Sequence, residues 1–287
     1  MIKKAVVLCG GLATRFLPFC KSIPKEMLPL IDKPLIQVIV EQLSEAGITD
    51  IMIILGRNKE CIVNHFDRNI ELEERLKATN KTQALETIKR TENLANIYFK
   101  RQIVPKGTGH AINMAKDWVN NEPFVMCFGD ETFYSDSSNV FKELIHEYEK
   151  HGDFVISTVE VAEKDIPLYG IVKRETNDSY YKIEEFVEKP SIEKAPSNIA
   201  NAGPAVLDGR IFDYIDKCPE VNLEVGITDA YCLAIHDGFL YGKMLNNFHK
   251  LDLGNKKSFI TSNIYMALKN EDIKEEIVEY IKNLDLK

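Results

Sequence analysis

The chain has 287 residues, 45% of them hydrophobic and 28% charged, the make-up of an ordinary soluble globular protein long enough to bury a large core. Its 36 Lys and Arg stand against 44 Asp and Glu, a net charge of −8, which speaks against a broad nucleic-acid surface but leaves room for a local phosphate pocket. No apolar stretch approaches the ~18 residues of a membrane span, and Gly10 interrupts the N-terminal apolar run too early for a signal-peptide core, so a cytoplasmic protein is expected.

The first half alternates short β-rich runs with amphipathic ones. "KKAVVLC" predicts a buried strand. After a long loop, Leu35, Val38, Ile39, Leu43 and Ala46 recur at helical spacing, with Pro34 at a first helical position, Asp32 as a nearby cap and Gly47 as the stop. "DIMIILG" is the next strand, and the charged segment Asn58–Glu92 is helical with a softer centre at "ATNKT". "IYFKRQIV" and "PFVMCFGD" are strands separated by the helix "GTGHAINMAKDWVNN"; a further helix, "NVFKELIHEYEKHG", leads to the strand "FVISTVEV". Such alternation implies an α/β fold with a mostly parallel sheet and helices on both faces. After Ile166, "YGIVKRE" and "YYKIEEFVEKP" flank the turn signal "TNDS" and predict an antiparallel excursion. A helix at "ITDAYCLAIHDG", a strand at "FLYGKML" and two C-terminal helices complete one elaborated unit without repeats or linkers.

The segment from Gly10 to Pro34, "GGLATRFLPFCKSIPKEMLPLIDKP", is far longer than the usual strand-to-helix connection, and loops of that length are commonly functional or disordered. Its interspersed apolar residues argue against disorder. Gly10-Gly11 lies just beyond a predicted parallel strand, the edge where open α/β sheets bind ligands. There glycines let the backbone approach a ligand, and successive amides can cradle an anion. Arg15 can bridge phosphate oxygens and Lys25 supplies a compact positive charge. Pro18, Pro24 and Pro29 limit the freedom of the segment. A bare Gly-Gly pair would be read as a turn with both cations on the surface; the whole constellation favours a phosphate site.

Other chemistries lack their motifs. There is no G-x-x-x-x-G-K-[ST], and after Gly107 and Gly109 the third glycine of a dinucleotide fingerprint is replaced by Ile112, which makes a nicotinamide-dependent oxidoreductase a poor fit. None of the six cysteines forms a C-x-x-C pair. His146 and His151 stand roughly 140° apart on a helix and cannot share a face. His110, after the glycine turn, reads as structural rather than as a general base. Strand-end Asp130 and Asp252 are read either as caps or as hard oxygen ligands for a magnesium ion beside phosphates.

The motifs "GGLATR", "IPKEMLPLIDKPLIQ", "RQIVPKGTGHA", "FGDE", "YGIV", "VEKP" and "ITDA" resemble those of the sugar-nucleotidyltransferases, in family order from Ala5 to about Tyr265. Within that superfamily "PKEMLP" followed by "DKPLIQ" is similar to the bacterial UTP–glucose-1-phosphate uridylyltransferases. The resemblance implies a Rossmann-like nucleotide-diphospho-sugar transferase fold, a mostly parallel mixed sheet with helices on both faces, with a nucleotide-binding part at about 1–165, a sugar-binding part at about 166–255 and C-terminal helices at about 256–287. It implies Mg²⁺ as cofactor, UTP and glucose-1-phosphate as substrates, and a homodimer or homotetramer. Arg15 and Lys25 become the catalytic cations and Asp130 and Asp252 the metal ligands. Gly10, Gly11 and Glu26 fall in the substrate-binding loop, and Gln102, Gly107 and Gly109 in the uracil-reading segment. Gly170, Glu188 and Lys189 take the sugar and its phosphate.

This chain departs from the pattern at Ala13, which replaces a glycine, at Lys106 and Thr108, which replace leucines, and at Gly203-Pro204-Ala205, where the uridylyltransferases have G-R-Y. These departures keep a thymidylyl- or cytidylyltransferase, and a non-catalytic nucleotide-sugar-binding regulator, as alternatives.

Overall fold

The computed structural model describes residues 1–11, 13–221 and 223–284, so the end of the expected C-terminal helical part, 285–287, lies outside the described residues. Strand β1 (Lys4–Cys9) leads into three short 3-10 turns, Thr14–Phe16, Phe19–Lys21 and Lys25–Met27, and a ribbon of β2 (Pro29–Leu30) and β3 (Lys33–Pro34). Helix α1 (Leu35–Glu45) returns to β4 (Asp50–Leu55). The charged segment resolves into three helices, α2 (Glu60–Phe66), α3 (Ile70–Ala78) and α4 (Thr82–Glu92). Then come β5 (Asn96–Arg101), α5 (Gly107–Asn113), α6 (Lys116–Val119), β6 (Phe124–Phe128), β7 (Glu131–Tyr134), α7 (Val140–His151) and β8 (Phe154–Glu160). Next are β9 (Gly170–Arg174), β10 (Tyr180–Glu188), β11 (Ile199–Leu207), α8 (Arg210–Ile215) and α9 (Ile227–His236). The described chain closes with β12 (Leu240–Met244), β13 (His249–Asp252), α10 (Lys256–Ala267) and α11 (Lys274–Lys282).

Nine strands form one sheet in the order β5-β4-β1-β6-β11-β8-β12-β10-β9. Pairing is parallel across β5, β4, β1 and β6 and between β8 and β12; β11 runs antiparallel to both β6 and β8, and β10 antiparallel to β12 and β9. The sheet is therefore mixed, as expected, but its pairings divide between parallel and antiparallel instead of being mostly parallel. The antiparallel pair β9–β10 joins its far end instead of standing apart.

Side chains of a strand alternate between faces, and β1 divides its apolar run accordingly. Ala5, Val7 and Cys9 pack with Leu35, Ile39 and Leu43 of α1 and Phe141 and Leu144 of α7. Val6 and Leu8 pack with Ile112 of α5, Phe212 of α8 and Tyr231 of α9. Helices thus cover both faces, which is why β1, β4 and β6 are continuous apolar runs.

Two local expectations change. Pro34 is the residue before α1, with φ −59°, rather than its first helical position, and no side chain caps that helix, Asp32 included. Strand β11 sits at the centre of the sheet although "IANAGPAVL" carries Gly203 and Pro204. A central strand tolerates proline only at a bulge, and here the β8 register shifts between Asn201 and Ala205, with Gly203 at φ +109° and Ser157 Oγ donating to the Pro204 carbonyl at 2.7 Å.

The opening segment is tied down from the far end of the chain. Asn263 of α10 accepts from the Ile31 N–H at 2.8 Å and donates to the Pro29 carbonyl at 3.1 Å, while Phe259 packs edge-on against Phe16 at 5.8 Å.

Candidate active site

The C-terminal ends of β1, β4, β5 and β6 lie side by side, held by short backbone bonds beyond the strands: Gly56 N–H to Cys9 O, Gly129 N–H to Leu8 O and Gln102 N–H to Leu55 O. A cleft of about 580 Å³ opens over this edge. Of the residues singled out in the sequence, Gly10, Gly11, Lys25, Glu26, Gln102, Gly107, Asp130, Glu188 and Lys189 line it. Gly109, Gly170 and Asp252 are not among its lining residues. Arg15 lies in the turn Thr14–Phe16, exposed, without a hydrogen-bonded partner among the described residues and outside the cleft wall.

Lys25 and Asp130 meet across the cleft floor in a short ion pair between Nζ and Oδ2, both side chains only 19% exposed. Burial pulls the Lys25 ammonium toward losing its proton, but the charge and hydrogen bond of Asp130 more than offset this, and its pKa is raised. A Cβ on Gly11 would stand 3.1 Å from the Lys25 Nζ, so glycine is what lets the lysine lie along the loop backbone. Asp130 and Asp252 converge on Gly254, where a Cβ would lie 2.8 Å from the Asp252 Oδ1 and 4.0 Å from the Asp130 Oδ2. The Asp252 Oδ1 also accepts from the Gly254 N–H at 2.6 Å. Two hard carboxylates around an open glycine suit a divalent cation that takes its other ligands from phosphate and water.

Beside them, Glu131 is paired with Lys250 at 2.7 Å. Burial pushes the Glu131 carboxyl up, opposed by the Lys250 charge. Glu26, expected to bind substrate, is wholly buried and paired with Lys59 at 2.6 Å.

On the nucleotide side, Gln102 is buried, and its Nε2 meets the Gly107 carbonyl at 3.3 Å and the His110 Nδ1 at 2.9 Å. Burial, reinforced by Lys106, lowers the His110 pKa, in keeping with a neutral structural imidazole. Gly107 has φ +84°, and a Cβ there would sit 2.5 Å from the Val225 carbonyl; Gly109 N–H donates to that same carbonyl at 2.8 Å. The close approach that these glycines permit is to the chain's own turn before α9.

On the opposite wall, Glu188 accepts from Thr228 Oγ1 at 3.0 Å and lies 3.6 Å from the Lys189 Nζ. A Cβ on Gly170 would stand 3.0 Å from the Glu188 Oε2. Thr228 and Asp229 are within "ITDA", whereas Val221 and Glu224 also line the cleft without any signal in the sequence.

Ala13 takes the left-handed conformation, φ 53° and ψ 38°, a region that strains a residue with a Cβ and suits the glycine it replaces. Ala13→Gly is expected to stabilise the protein by roughly 0.5–1 kcal/mol, the left-handed penalty less the added chain entropy of glycine. Urea unfolding measures this; no gain would mean the penalty is relieved elsewhere.

Residues 4–268 match the nucleotidyl transferase family profile. The chain belongs to that family. Among its relatives, a UTP–glucose-1-phosphate uridylyltransferase of Staphylococcus epidermidis is 41% identical over 287 residues, covering 99% of each chain. A UTP-bound UGPase from Acinetobacter baumannii has a similar fold, with TM-score 0.93 and 31% identity over 99% of this chain and all of that one. A UDP-glucose pyrophosphorylase complexed with UDP-glucose superposes at TM-score 0.85, with 34% identity over 94% of this chain and 100% of the other. Members of the nucleotidyl transferase family generally use a divalent metal, and the Asp130–Asp252 pair has the donor chemistry for one. No described helix is long and apolar enough to cross a membrane.

Proposed function

We propose that this chain transfers UMP from UTP to glucose-1-phosphate, giving UDP-glucose and pyrophosphate. The observation that carries this reading is the meeting, in one cleft, of Lys25 from the turn Lys25–Met27 and Asp130 from the end of β6 with Glu188 and Lys189 from the end of β10. Such an arrangement suits the joining of a nucleoside triphosphate to a second phosphate. Full-length similarity to uridylyltransferases supports the choice of substrates.

A phosphate oxygen of glucose-1-phosphate attacks the α-phosphorus of UTP; the bond from that phosphorus to the β-bridging oxygen breaks, and pyrophosphate departs with the electron pair. No protein nucleophile is required. The obstacle is mutual repulsion of two anions, so positioning and charge stabilisation dominate. Lys25 stabilises charge around the α-phosphate, Lys189 holds the sugar phosphate in line, and Arg15 meets the leaving pyrophosphate after moving in from its exposed turn. Gly10 and Gly11 carry the triphosphate close to backbone, and Gln102 presents its amide to the base. Glu188 and Gly170 take the sugar. Asp130 and Asp252 would hold Mg²⁺, which neutralises phosphate charge when bound. In this assignment residues 1–165 serve the nucleotide and 166–255 the sugar, in a cytoplasmic homodimer or homotetramer.

Pyrophosphate release over a grid of nucleoside triphosphates and sugar 1-phosphates tests the proposal. UTP with glucose-1-phosphate is expected to be the fastest pair. Preference for TTP or CTP, which Lys106 and Thr108 beside the base-reading glutamine leave open, would reassign the donor. No turnover with any pair, alongside binding of UDP-glucose, would make the chain a sensor.

A further inference from the structure

Lys59 and Glu26 form the most enclosed ion pair of the described residues, their side chains 6% and 1% exposed, with Nζ 2.6 Å from Oε1. Lys59 stands at the entry to α2, just past β4, while Glu26 belongs to the single turn Lys25–Met27. The Glu26 stem packs on the end of β6, since its Cγ lies 3.1 Å from where a Gly129 Cβ would be, and Asp130 follows that glycine directly. We propose that Lys59 is a positioning residue: through Glu26 it clamps the turn carrying Lys25 against the strand end carrying Asp130, so that the ammonium faces the phosphates. This rests on the catalytic reading of Lys25 given above.

Two considerations favour it over a merely structural pair. The second Glu26 oxygen is buried without a hydrogen-bond partner among the described residues, so Lys59 alone orients the carboxylate. Finally, stability does not require such a pair, because well-packed apolar residues commonly replace a buried one without loss, whereas removing one partner is strongly destabilising. What an apolar replacement cannot reproduce is the fixed direction of an ammonium–carboxylate bond.

The test separates those effects. Lys59→Met and Glu26→Met singly are expected to lower Tm, and Lys59→Met/Glu26→Met together to recover most of it. In the double variant kcat stays down by about 100-fold, the cost of a misplacement of about 1 Å at the reacting centre, while KM for UTP changes little. Acetic anhydride labelling of Lys25, followed by mass spectrometry, speeds up because the ammonium is no longer held on Asp130. A double variant with recovered Tm, wild-type kcat and wild-type labelling overturns the proposal. If the wild type releases no pyrophosphate from any substrate pair, the catalytic reading falls, and labelling alone decides the positioning: an unchanged rate rejects it. Should the double variant not fold, Glu26→Gln keeps the shape and removes the charge; unchanged kcat and labelling there are equally fatal.

Discussion

Asp130→Asn is expected to lower kcat on the order of a thousandfold, because several kcal/mol of charge stabilisation at the phosphates is lost with the ion that the carboxylate would hold. The amide keeps the size of the side chain and one oxygen, so folding changes little. The pair that Asp130 makes with Lys25 is only 19% exposed on each side, so loss of its charge is expected to lower Tm modestly, far less than it lowers the rate. The residual rate is expected to respond weakly to added Mg²⁺. Steady-state pyrophosphate release across a magnesium titration measures both effects, and undiminished turnover would take Asp130 out of the metal site.

Lys25→Ala is expected to reduce kcat by about 100- to 1,000-fold, the usual cost of deleting a donor aimed at developing negative charge. Its Tm is expected to move only slightly, since the lysine reaches into the cleft rather than into the core. Comparing kcat with thermal unfolding makes the distinction: rate and folding lost together would mean that Lys25 merely secures the loop. The two variants also differ diagnostically, because Lys25→Ala retains the carboxylates of Asp130 and Asp252 and therefore a normal response to Mg²⁺.

Much of the nucleotide half was legible because its strands are buried on both faces and read as unbroken apolar runs, with "AVVLC", "IMIIL" and "FVMCF" as β1, β4 and β6. Strand β11 escaped because its pairing across a bulge is a tertiary solution that Gly203 and Pro204 conceal locally. The cations and acids of the site were visible as residue types at strand ends. Their partners were not. Nothing near Glu26 in sequence indicates that Lys59 encloses it, and nothing near Gly107 indicates that Val225 leans against it. Both contacts join segments whose proximity only the sheet order creates. Conversely, Arg15 was easy to single out and yet stands outside the cleft, since a motif records a residue's identity and not the loop state in which it acts.

The tether between α10 and the opening segment sets a rule for how this molecule is made. Asn263 binds a backbone group 232 positions earlier, at Ile31. A ribosome must therefore reach Asn263 before the first loop acquires its anchor. A chain terminated after Gly254 would possess every candidate residue from Gly10 to Asp252 and still lack the brace that sets its opening loop in place, so competence waits on α10 and not on the last residue of the site.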